Sequence, residues 1–151
     1  MNRVWCYIIS QPLSETALQE LLNMGKKFTN EWTAHENKLS AEIKVLFDRI
    51  LFVTVNEDIT AASGCSIDKL TRFIKETEKH FGIELLNRLL VAYKLNDKVE
   101  VVHSSRIKEL IQNGTINENT VILHTAVSTQ SEFINWELPL KSTWLSKYLA
   151  Q

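Results

Sequence analysis

The sequence predicts an α+β fold, and three observations carry that expectation. Apolar runs of strand length alternate with two long segments of helical period. The first 95 residues read in the order β-α-β-β-α-β. No Gly- or Ser-rich linker separates them from the rest. That order is the ferredoxin-like βαββαβ split unit, an antiparallel sheet with helices on one face. The expected whole is a single domain over 1–151. Its core covers about 1–95, and a C-terminal β-hairpin/helix/strand extension covers about 96–151.

Each element has its own local reason. Val4 to Ser10 is rich in aromatic and branched residues and reads as a buried strand ended by Pro12. Ser14 is the N-cap of helix one, with Leu13 and Leu18 as a hydrophobic staple. Leu18, Leu21, Leu22, Phe28 and Trp32 recur at helical spacing over 15–33. Gly25 is expected to weaken that helix by about 1 kcal/mol relative to Ala. Ala41 to Asn56 reads as two strands turning at Asp48-Arg49, the second nearly all apolar from Ile50 to Val55.

Helix two runs from about Ser66 to His80, with Ile67, Leu70, Phe73, Ile74 and Thr77 on one face. Gly82 stops it as a C′ residue. Leu89 to Tyr93 is a strand that turns at Asn96-Asp97 into Val99 to Val102. A short helix over Ile107 to Ile111 closes at Asn113-Gly114, and Thr120 to His124 is a further strand. The tail holds Trp136, Pro139 and Trp144 and a short helix over Thr143 to Leu149. The two tryptophans are read as pins for the tail, or as the lining of a groove or dimer interface.

Composition excludes several function classes. With 18 acidic and 17 basic residues the net charge is −1, and no Lys/Arg cluster is longer than Lys26-Lys27. Nothing steers the chain to nucleic acid or to an anionic membrane. No apolar stretch is long enough for a membrane span, and the start lacks the pattern of a signal peptide. Cys6 and Cys65 have no metal-type spacing, so the simplest expectation is a reduced, cytoplasmic protein with no metal and no cofactor.

Several motifs together resemble a known family. They are Trp32-Thr33-Ala34-His35, Ala62-Ser63-Gly64-Cys65-Ser66-Ile67-Asp68, Phe73-Ile74-Lys75-Glu76, Trp136-Glu137-Leu138-Pro139 and Ser142-Thr143-Trp144. The chain resembles a small bacterial family whose members often carry the automatic label "ABC transporter ATPase". The resemblance implies no catalytic residues. The label itself requires a Gly-x-x-x-x-Gly-Lys-Ser/Thr loop, whose glycines let backbone amides close around phosphates. No such motif exists among the four glycines here. Residues 99–124 also resemble the strand, helix, Asn-Gly, strand pattern of small GYF-type modules, without the aromatic signature of the peptide-binding ones.

The segment Ser63 to Asp68 concentrates the chemistry-bearing residues at a helix start. A thiol there gains from free amides and the dipole, so Cys65 is the candidate nucleophile, with His35 as its base. Ser63, Gly64, Ser66 and Asp68 form a candidate ligand site for a small anion. Glu57, Asp58 and Asp68 read as solvated loop charges, and His35, His80, His103 and His124 show no zinc spacing.

Three functions follow. The favoured one is a non-catalytic module that binds a small ligand or a protein. The second is a thiol-dependent enzyme or redox sensor at Cys65 and His35. The third is anion or nucleotide binding at the Ser63–Ser66 turn. The open face of the sheet is expected to be buried by the extension or by a homo-oligomer.

Overall fold

A computed structural model describes residues 1–150. β1 (Asn2–Ile8) leads into α1 (Glu15–Glu31) and a small hairpin of β2 (Thr33–Ala34) and β3 (Asn37–Lys38). β4 (Ala41–Leu46), β5 (Ile50–Asn56) and α2 (Gly64–Phe81) complete the first half. The second half holds β6 (Leu90–Leu95), β7 (Lys98–His103), α3 (Ile107–Gln112), β8 (Val121–Leu123), α4 (Gln130–Phe133) and β9 (Glu137–Pro139). Short 3₁₀ helices cover Ser104–Arg106, Leu140–Ser142 and Trp144–Tyr148.

The fold is mixed α+β with antiparallel sheets. The first sheet has the order β1-β5-β4 and the second the order β7-β6-β8-β9. Alternation along β5 explains how the two halves meet. Leu51, Val53 and Val55 face the helices and share a core with Leu21, Trp32, Leu70 and Ile74. Ile50 faces the other way and packs with Ala92, Val99, Leu123 and Trp136 of the second sheet. On that side Phe52 lies against Phe133, with ring centroids 4.5 Å apart. A third cluster, with Tyr93, Ile107, Ile116, Leu140 and Leu145, fills the far side of the second sheet.

The βαββαβ expectation needs one correction. Its first three strands take the β1-β5-β4 order of a split unit, but the fourth, β6, is not hydrogen-bonded to β1. Both edges of β6 are already used. Residues Leu90 to Leu95 pair with β7, and Tyr93 pairs with Ile122 of β8. The second sheet therefore begins with β6. The expected open sheet face is covered by this second sheet from the same chain.

Local geometry repeats this dependence on tertiary partners. The β4–β5 turn puts Phe47 at φ 53° and Asp48 at φ 59°, a backbone region costly for a bulky residue. Phe47 is held there by Trp136, 6.4 Å away between ring centroids, and by the Lys94 ammonium 4.8 Å over its ring. The next residue, Arg49, is buried and donates to the carbonyls of Ile9 and Ser10. Burial lowers its pKa, and the nearby Glu100 opposes that shift.

Gly25 is not a weak point in α1 but a contact. It is buried, and a Cβ there would lie 3.0 Å from Cγ2 of Ile43 on β4. Gly25→Ala should destabilise by about 1 kcal/mol net, because overpacking outweighs the similar gain in helix propensity. A urea midpoint that rises instead would show that Ile43 gives way.

Candidate functional site

The helix start at Ser63 is closed by its own side chains. Ser63 Oγ accepts from the Ser66 N–H at 3.1 Å, and Ser66 Oγ accepts from the Ser63 N–H at 2.7 Å. The Ser66 hydroxyl also donates to the Ser63 carbonyl at 2.8 Å. This is a capping box, with both serines committed to the backbone. Ser66 is fully buried, and its own carbonyl accepts from the Trp32 indole N–H at 2.8 Å. Two motifs far apart in sequence thus meet to dock α2 on the end of α1. Gly64 and Cys65 are exposed on the first turn, and Asp68 is exposed just beyond it.

The proposed thiol–imidazole pair is not joined by a hydrogen bond. Cys65 is a free, exposed cysteine. His35 sits at φ 50° in the tight turn between β2 and β3, also exposed. The other histidines have structural partners or stand alone. His80 Nε2 meets Glu20 Oε1 at 2.6 Å and ties α2 to α1. His103 Nδ1 accepts from the Ser105 N–H at 3.1 Å and caps the following 3₁₀ turn. Glu57 accepts from the Ala62 N–H at 2.9 Å. Among the described residues, no three His, Cys, Asp or Glu side chains converge as a metal ion requires.

A concavity lies elsewhere, along the seam between the two halves. It is a cleft of about 710 Å³. One wall is β1 from Trp5 to Ile8, and the opposite wall is Ile122 to Val127. The loop Leu85 to Arg88 closes one end, and Trp144 stands at the rim, 55% exposed. That exposure separates the two tail tryptophans. Trp136 is buried against Phe133 and pins the tail, whereas Trp144 lines the cleft.

The cleft has a distinct charge. Arg88 and His124 line it, and among the described residues no Asp or Glu does. Its floor is partly buried. Burial pushes the Cys6 thiol from its ordinary 9.0 to about 12. Burial also raises the Tyr7 hydroxyl, with Cys6 adding to the effect. Both groups stay neutral across the physiological range. An apolar, aromatic floor with a guanidinium, an imidazole and hydroxyl groups suits an amphiphilic anionic ligand.

Sequence reading offered Trp144 as the lining of a groove but missed the rest of this site, whose residues share no local pattern. Cys6 and Tyr7 read as interior residues of a strand, and only the path of the chain brings Arg88 and His124 beside them. Comparisons with protein-family models, curated proteins and solved structures give no match.

Two outcomes test these assignments. Ser63→Ala should cost about 1 kcal/mol in urea unfolding, as loss of an N-cap does. Cys6 and Cys65 should part company in alkylation. Cys65 reacts readily at neutral pH, while Cys6 reacts only on unfolding. The raised Cys6 value also has a sign for stability. The folded state holds that proton longer than the unfolded chain, so its contribution is full below pH 9 and is lost as pH rises towards 12. Wild type should therefore lose stability over that window faster than Cys6→Val, in urea titrations at successive pH values.

Proposed function

We propose that this protein is a non-catalytic binding module whose ligand lies in the seam cleft. The carrying observation is the cleft itself, about 710 Å³ in volume with an aromatic floor. That size falls within the usual range for ligand sites, roughly 300–1,000 Å³. Its lining supports binding more than chemistry. The thiol and hydroxyl on the floor are held neutral by burial, and a nucleophile needs the opposite. Arg88 and His124 favour a ligand that carries a carboxylate or similar anion. The small anionic ligand expected at the Ser63–Ser66 turn is thereby moved to the cleft, since the serines cap their own helix.

A fragment screen read by amide and indole NMR shifts tests this. Binding fragments should shift Thr125, Ala126 and the Trp144 indole together. Arg88→Ala should weaken carboxylate-bearing fragments about tenfold, near 1.4 kcal/mol, and leave neutral ones unchanged. If every saturable fragment clusters instead on the groove between α1 and α2, around Phe28 and Phe73, the cleft is not the ligand site.

A further inference from the structure

The outer edge of β1 is occupied at both ends and empty in the middle. At one end the Val4 N–H donates to the Ser128 carbonyl at 3.0 Å, and Arg3 bridges Thr129 in antiparallel fashion. At the other, the Ser10 N–H donates to the Glu84 carbonyl at 3.1 Å. Backbone groups of alternate strand residues point to opposite edges. Val4 points away from β5, so Cys6 and Ile8 do as well. Neither has a ladder partner on that side, because β1 pairs along its length with β5 alone. Both residues line the seam cleft.

An empty stretch of edge between two paired ends is a template for another strand. We propose that the cleft takes a short extended peptide from another protein, which pairs with Cys6 and Ile8 as an added strand. This rests on the reading of the cleft as the ligand site. At about 3.3 Å per residue, the gap between the occupied ends holds roughly four residues. The peptide's main chain meets donors and acceptors that a compact small molecule cannot match in sequence. Its side chains alternate between two apolar sides. One is the side of Trp5 and Tyr7, the other that of Ile8 and Leu123. With Arg88 and His124 as the basic side chains of the lining among the described residues, the matching peptide carries apolar residues at alternate positions and a carboxylate.

The test uses the full chain and a random heptapeptide library. Enriched peptides are resynthesised in two forms, each N-methylated at one alternate set of residues. One form should lose binding more than tenfold, because its methyl groups face β1, and the other should retain it. Binding should slow amide hydrogen exchange at Cys6 and Ile8 and leave Trp5 and Tyr7, already bonded to β5, unchanged. Equal binding by both forms, exchange at Cys6 and Ile8 that does not slow, or no enriched peptide would overturn the inference. If fragments still shift Thr125 and Ala126 in those cases, the binding-module reading survives without the peptide. If neither peptides nor fragments perturb the cleft, both fall.

Discussion

β5 must be buried on both faces, and the arrangement of the molecule follows from that demand. Residues Ile50 to Val53 and Val55 are all buried, whichever side they point to. Each fully buried large aliphatic side chain contributes roughly 1.5–3 kcal/mol. Two helices suffice for one face. The other face would be left to water in a bare three-stranded sheet. The chain covers it with a second sheet, through Ala92, Val99, Leu123 and Trp136. The C-terminal third is therefore part of the same packing problem as the first strand.

That solution has a topological consequence. β6 cannot both close the first sheet and anchor the second. It is bonded to β7 and β8, so β1 keeps a free edge facing the seam. The cleft is what remains between a strand that lacks a neighbour and a sheet that passes beside it. Its partly buried floor and its unpaired backbone come from the same cause. The outer edge of β1 is closed at its two ends, at Arg3–Thr129 and Ser10–Glu84. The gap between those two points is thus a local exception in an otherwise managed edge.

The start of α2 shows how chemically suggestive side chains can serve the helix itself. Small polar residues at a helix N-terminus serve an anion or serve the helix, and composition alone does not separate these. Here the hydroxyls of Ser63 and Ser66 are spent on each other's backbone, and the Trp32 indole takes the Ser66 carbonyl. Cys65 is exposed beside them.

Periodicity and caps were enough to read both long helices, Gly82 as the stop of α2 and most strands, because those signals act within a few residues. The two-residue hairpin at 33–38 and the short β9 escaped, having too few residues to show a period. Gly25 read as a local weakness, yet it is a close contact whose partner, Ile43, lies on another element. Phe47 gave no sign of its left-handed backbone, since what holds it is Trp136, far along the chain. Strand edges are the extreme case. The pattern of a strand tells which side chains are buried but not which neighbour takes its backbone. That neighbour is chosen by competition among all the strands at once. So the α+β class and the apolar faces lie in local pattern, while the split into two sheets, the free edge of β1 and the meeting of Cys6, Arg88 and His124 belong to the tertiary structure alone.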